Sequence, residues 1–280
     1  MPIRFSKMHG AGNDFAVLDR RGTNPPLAPA TVRGMADRRR GIGFDQLLTI
    51  EPATRPDAAF RYGVWNQDGS VAGQCGNGAR CVVAWLHRNG DWPGGAVRLE
   101  APGTLVTAER LDDGSVRLDM GVPEFEPARI PFLVEPAAAG AAERYAIEVE
   151  GARHEIGAVA LGNPHAVLEV EDTEQAPVET LGPALERHAR FPERCNVGFA
   201  QVLAPDSIRL RVFERGVGET LACGSGACAA VVILRRRGRV GETVRVALPG
   251  GVLAVSWAGG EAPVFLEGPA EFVYEGVWLT

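Results

Sequence analysis

The chain states one plan twice, and that repeat limits its fold more than any other feature. Gly12-Asn13-Asp14-Phe15-Ala16-Val17-Leu18 is echoed by Gly162-Asn163-Pro164-His165-Ala166-Val167-Leu168. From Asn13 to Gln46 is 33 positions, and so is the distance from Asn163 to Asn196. Cys75-Gly76-Asn77-Gly78-Ala79 is matched by Cys223-Gly224-Ser225-Gly226-Ala227. Asn66 stands nine residues before the first of these cysteines and Glu214 nine before the second; Gly90 and Gly238 stand fifteen after them. Val97-Arg98-Leu99-Glu100-Ala101-Pro102-Gly103 then parallels Val244-Arg245-Val246-Ala247-Leu248-Pro249-Gly250. A series in register from end to end means duplicated architecture. The halves run from about residue 3 to 120 and from about 155 to 268.

Each half reads as α+β. Short alternating segments such as 116–119 and 147–150, bounded by Gly, Pro and Asp, have strand periodicity. After each cysteine motif comes an apolar run, Ala79 to Leu86 and Ala227 to Leu234, closed by arginine and then glycine as helices close. Apolar on most sides, these two helices are expected at the centre of their domains. The Pro/Ala-rich stretch 123–142 is expected to carry the chain from one domain to the other.

Composition narrows the function. A chain of 280 residues has room for two cores. A net charge of −6 without a basic block excludes nucleic acid as the expected partner. No stretch is apolar and long enough to span a membrane, and Met1 to Lys7 lacks a signal-peptide core, so the cytoplasm is the expected compartment. There cysteines stay reduced. The five fall as Cys75/Cys81, Cys223/Cys228 and a lone Cys195, an odd count without C-x-x-C that suits neither a disulfide framework nor a zinc ribbon. Lys7 is the only lysine among 29 basic residues, so a pyridoxal-phosphate Schiff base would rest on one residue near the terminus. No cofactor and no metal are expected.

Cys75 and Cys223 each precede the first turn of an expected helix, in a Gly-rich turn. Unpaired N–H groups and the helix dipole favour negative charge there, which predicts a thiol pKa below its usual ~8.5. The same N–H groups suit a bound carboxylate. A pseudo-twofold relation would set the two turns face to face across an interdomain cleft. That arrangement suits inversion of a stereocentre, where a thiolate removes the Cα proton from one face and a thiol returns one to the other. Buried cysteines are otherwise small core hydrophobes, and Cys81, Cys195 and Cys228 read that way.

The segments His9 to Phe15, Gly41 to Gln46, Cys75 to Cys81, Gly162 to Val167 and Glu214 to Cys228 resemble, in order, the signatures of the diaminopimelate epimerases. The resemblance spans essentially the whole chain; one departure is Ser225, where threonine is common. It implies two pseudo-symmetric α+β domains, each a β-barrel-like sheet around a central helix. The domains would cover 1–121 and 122–268, with 269–280 returning to the first. It implies interconversion of LL- and meso-diaminopimelate in lysine and cell-wall precursor synthesis, without cofactor, in a homodimer. By position it makes Cys75 and Cys223 the acid/base pair, assisted by His165 and Glu214. Substrate contacts fall on Asn13, Gln46, Asn66, Gly76, Asn77, Asn163, Asn196, Glu214, Arg215, Gly224 and Ser225.

Taken singly, these residues have ordinary readings: turn asparagines, a satisfied core histidine, a solvated Glu214–Arg215 pair. Their register in the repeat favours function. The rival enzymes are proline-racemase relatives of the same fold, whose small substrate needs no grip on a distal end. A non-catalytic binding protein and a metal-thiolate or redox protein are the rivals outside this class.

Overall fold

The computed structural model describes residues 2–22, 27–134 and 143–279, so part of the Pro/Ala-rich stretch lies outside the described residues. The chain forms two compact units, residues 1–119 with 267–280 and residues 120–266.

Unit 1 runs β1 (Ile3–Gly10), β2 (Asn13–Asp19), α1 (Pro29–Ala36), β3 (Gln46–Pro52), β4 (Phe60–Asn66), α2 (Gly76–Arg88), β5 (Gly95–Ala101), β6 (Thr104–Arg110) and β7 (Val116–Asp119). Unit 2 has β8 (Tyr145–Val149), β9 (Ala152–Ala160), β10 (Pro164–Glu169), α3 (Val178–Glu186), β11 (Asn196–Ala204), β12 (Ser207–Glu214), β13 (Gly218–Thr220), α4 (Gly224–Arg236), β14 (Thr243–Leu248) and β15 (Gly251–Ser256). β16 (Phe265–Gly268) spans the unit boundary, and β17 (Glu271–Trp278) pairs antiparallel with β1, Ile3 opposite Trp278.

The repeat holds at the level of strand register. β2 and β3 pair in parallel with Phe15 opposite Gln46; β10 and β11 do the same with His165 opposite Asn196. β3 and β4 pair antiparallel with Gln46 opposite Asn66. In β11 and β12 Val197 faces Phe213, so the next step along brings Asn196 towards Glu214. β4 meets β5 in parallel (Phe60 opposite Leu99), as β12 meets β14 (Ile208 opposite Val246). The hairpins β5–β6 and β14–β15 turn at Pro102-Gly103 and Pro249-Gly250.

The central helices follow from their sequences. Residues 77–86 of α2 and 226–234 of α4 are buried without a break, so the sheet covers every side of each helix. Burying each of Val231, Val232, Ile233 and Leu234 is worth roughly 1.5–3 kcal/mol. Both helices stop alike. Gly90 (φ +74) donates to His87 O and Asp91 to Leu86 O, while Gly238 (φ +68) donates to Arg235 O and Arg239 to Leu234 O. The left-handed residue in this double bond must be glycine to avoid strain. Segment 147–150 keeps its alternation, Ile147 and Val149 buried and Glu148 and Glu150 exposed, but the strand ends one residue early. Glu150 is not strand but the first residue of a two-residue turn, at φ +52 with Gly151 at φ +80, the left-handed pair that matches hairpin twist.

Candidate active site

Cys75 is the N-cap of α2 (φ −127, ψ 115) and Cys223 the N-cap of α4 (φ −120, ψ 111). This near-identity of backbone is what a duplicated Cys-Gly-x-Gly turn should give. Each carbonyl opens its helix, accepting from Ala79 N at 2.9 Å and from Ala227 N at 3.0 Å. None of the five cysteines is in a disulfide.

Around Cys75 the side chains are mostly amides. Asn13 opens β2, and its Oδ1 lies 3.9 Å from Cys75 Sγ and accepts from Asn77 Nδ2 at 3.2 Å. Asn13 Nδ2 donates to Asp45 Oδ2 at 2.9 Å, and Asn77 Oδ1 accepts from Arg80 Nη2 at 2.9 Å. Gln46 Nε2 donates to Asn66 Oδ1 at 3.3 Å across their register pair, and Asn66 Nδ2 donates to Ser70 Oγ at 3.1 Å. Behind Asn13 lies a charged cluster. Arg38 bridges Asp14 and Asp45, and buried Lys7 donates to Asp14 and to Gly43 O. Burial opposes ionisation of Asp14, but hydrogen bonds from Arg38 and Lys7 outweigh it and hold the carboxyl well below its ordinary range. The single lysine of the chain is thus an ion-pair partner in the core.

Around Cys223 the side chains are titratable. Glu214, at the end of β12, interacts electrostatically with Cys223 and accepts from Thr220 Oγ1 at 2.5 Å. Gly226 N donates to Cys223 Sγ at 3.4 Å, and Ser225 Oγ lies 3.7 Å away. The turn is close-packed at Gly226, where a Cβ would crowd Val212 at 3.0 Å and the sulfur at 3.3 Å. The thiol does not show the depressed pKa expected of a helix N-terminus. Burial pushes it well above its ordinary value and the Glu214 carboxylate adds to the rise, outweighing the favourable Gly226 N–H and Ser225. Burial also raises Glu214.

His165 is buried, and Asn163 Oδ1 lies 2.9 Å from its Nε2. Burial, with Arg215 adding to it, pushes the ring down to about 3, so the imidazole is neutral at neutral pH and donates to Asn163 through Nε2. Asn163 Nδ2 reaches Ser225 Oγ at 3.5 Å. Asn196 is buried; it donates to Pro164 O at 3.2 Å and accepts from Arg215 N at 3.0 Å. The exposed Arg215 side chain donates to Glu193 O at 3.0 Å.

Within unit 1, hydrogen bonds join Cys75, Asn13 and Asn77 in one set and Gln46 with Asn66 in another. Within unit 2 they join Cys223, Ser225, Asn163 and His165 in one set and Asn196 with Arg215 in another. The remaining cysteines, Cys81, Cys195 and Cys228, are fully buried, and burial pushes Cys81 up to about 12. Sequence reasoning missed the residues behind these sets: Asp45, Arg80 and Glu186. Glu186, at the end of α3, is 1% exposed, pairs with Arg187 and Arg194, and accepts from Gly216 N at 3.1 Å. It thereby pins the turn that carries Glu214 and Arg215. The position of Asp45 and Arg80 inside recognised motifs was the only signal for them; nothing local marked Glu186.

Among the described residues, no group of three or more His, Cys, Asp and Glu could hold a metal ion, and no helix is long and apolar enough to cross a membrane.

The sequence model of the family described as diaminopimelate epimerase matches residues 5–126 and 157–273. A diaminopimelate epimerase of Xanthomonas campestris pv. campestris is 55% identical over 277 residues, 99% of this chain and 96% of its own length. One from Xylella fastidiosa is 50% identical over the same shares. Among solved structures, a probable proline racemase from Agrobacterium radiobacter superposes with a TM-score of 0.67 at 20% identity, over 98% of this chain and 92% of its own. A hydroxyproline epimerase from Agrobacterium vitis gives 0.68 at 19%, over 99% and 92%. These last two likenesses carry the fold alone.

Proposed function

Because the chain belongs to the diaminopimelate epimerase family, we propose that it interconverts LL- and meso-diaminopimelate by proton transfer at Cα between two cysteines, without metal or pyridoxal phosphate. The observation that carries this reading is that Cys75 and Cys223 cap equivalent helices of a duplicated fold with the same backbone conformation.

One sulfur, as thiolate, takes the Cα proton and becomes a thiol. The electron pair of the broken C–H bond spreads onto the α-carboxylate. The other sulfur, as thiol, gives its proton to the opposite face of Cα and becomes the thiolate. The reverse reaction exchanges the two states. First-turn N–H groups of α2 and α4, with Asn77 and Ser225, stabilise the charge growing on the carboxylate. Glu214, whose charge raises the Cys223 thiol, accepts or returns the proton at Cys223 Sγ. Neutral His165 acts through Asn163, which it holds in one orientation. Arg215 grips the distal carboxylate with its planar fork, while Gln46, Asn66, Asn163 and Asn196 orient the remaining polar groups. The enzyme acts as a cytoplasmic homodimer.

The test is to incubate purified protein with LL-diaminopimelate alone, then with chelator, and to follow the meso product by chiral chromatography. Turnover unaffected by chelator, with lysine and proline inert, is the expected result. Failure to form meso product would overturn the reading.

A further inference from the structure

Two residues that touch no reacting atom control how the Cys75 side presents its amides. Asp45, as a carboxylate, can only accept, so the Asn13 group facing it must be Nδ2. Arg80 can only donate, so the Asn77 group facing it must be Oδ1. With both ends fixed, one arrangement satisfies the middle: Asn77 Nδ2 donates to Asn13 Oδ1, at 3.2 Å. Each ion thus removes an ambiguity that amide side chains otherwise have.

Both anchors are built in. Arg80 is fully buried on α2 and also donates through Nε to Pro269 O at 3.2 Å. The slot is close-packed against Gly10, where a Cβ would lie 3.1 Å from Arg80 Nη2, 3.3 Å from Asn77 O and 3.4 Å from Pro269 O. Asp45 is held by Arg38 at 2.8 Å, and its second oxygen also accepts from Asp14 N at 3.1 Å. In the other unit the repeat puts Cys228 where Arg80 stands, so the device belongs to one half.

We propose that Asp45 and Arg80 are positioning residues that lock the amides of Asn13 and Asn77 in one orientation, so that Asn13 presents an acceptor oxygen to Cys75. The assignment deepens the proposed function and rests on its reading of Cys75 as an acid/base group. An acceptor beside the sulfur supports the thiol form. An N–H in its place would support the thiolate and lower the pH at which Cys75 ionises.

The test is the pH profile of iodoacetamide alkylation, resolved by peptide so that Cys223 serves as control in the same sample. Asp45→Leu releases Asn13 to turn its Nδ2 to the sulfur, and the Cys75 midpoint should fall by about half a pH unit or more. Asp45→Asn removes the charge but keeps an acceptor, and should stay with wild type. Equal shifts in both variants would mean that charge alone matters and would overturn the assignment. A second measurement, on the unmutated enzyme, needs no variant to fold. With asparagine labelled by ¹⁵N, the side-chain NH₂ groups of Asn13 and Asn77 should exchange with solvent at least about tenfold more slowly than exposed amides; exchange as fast as exposed amides would also overturn it. Neither readout needs substrate. A protein inert on diaminopimelate that shows the Asp45→Leu shift keeps the positioning assignment and loses the proposed function. An active enzyme in which both variants shift alike loses only the positioning assignment.

Discussion

The two cysteine turns share a backbone and differ in almost everything that touches the sulfur. The repeat sets Asn66 in unit 1 against Glu214 in unit 2, nine residues before each cysteine. Where unit 1 has Phe15, unit 2 has His165, and where unit 1 has a buried Arg80, unit 2 has Cys228. Cys75 lies partly exposed beside an acceptor, Asn13 Oδ1, whereas Cys223 is buried beside a donor, Gly226 N, and a carboxyl. Duplication therefore conserved the geometry that aims a thiol and let the electrostatics that set its protonation diverge. Two groups that exchange roles in a reversible proton transfer need equivalent placement, but nothing requires that they rest in the same state.

The largest effect expected is common to both halves. Cys75→Ala and Cys223→Ala should each lower kcat by about three orders of magnitude or more with far-ultraviolet circular dichroism unchanged, because either loss leaves one face of Cα without its acid or base. Retention of a tenth of wild-type turnover by either variant would break the equivalence of the pair.

Next comes a residue confined to one half. Losing a bidentate contact to a desolvated carboxylate costs about 2–5 kcal/mol, so Arg215→Ala should lose roughly one and a half to three and a half orders of magnitude in kcat/KM. Arg215→Lys restores charge without the fork and should also be severely impaired. Comparable kcat/KM on lysine and diaminopimelate would refute the role given to Arg215.

Glu214→Gln sharpens the contrast between the thiols. Removing the carboxylate that raises Cys223 should lower the alkylation midpoint of that thiol and leave that of Cys75 in place, while kcat falls about tenfold to a hundredfold. Movement of both midpoints would show that the two environments are not independent.

His165→Phe gives unit 2 the residue that unit 1 has. Folding depresses the imidazole from its ordinary 6.5 to about 3, so as pH falls below 6.5 the unfolded chain takes up the proton first and stability is lost down to about pH 3. Between pH 7 and 5 this group contributes a loss of at most about 2 kcal/mol, which the variant should not show. Melting temperatures of both proteins across that window check it. The smallest effect belongs to Cys195→Ala, expected to keep activity within about twofold, since this buried sulfur fills the core and donates only to Leu185 O.

The division between what sequence discloses and what only structure discloses follows the range of the interactions. The helices, their glycine stops and the cysteine caps are local, so Cys75 to Gly90 and Cys223 to Gly238 declare them directly. The repeat, with 33 residues from Asn13 to Gln46 and from Asn163 to Asn196, discloses a shared plan, but that both spacings become one parallel register is disclosed only by the fold. Asp45, Arg80 and Glu186 act through contacts made by folding. A charged residue read from sequence looks solvated until its burial is known, as the full burial of Arg80 and Glu186 illustrates. The lowered pKa expected of the Cys223 thiol fails for the same reason. A helix N-terminus is visible in sequence, but the desolvation that overrides it at Cys223 is not.

The central claim, that two thiols serve opposite faces of one carbon, is tested most directly by following LL-diaminopimelate in deuterated water at low conversion. Two groups with distinct proton pools should place deuterium at the inverted carbon of nearly every early meso product while the recovered LL substrate stays unlabelled. Label entering recovered substrate as fast as product, or meso product that keeps its original proton, would mean that one group serves both faces and would contradict the account.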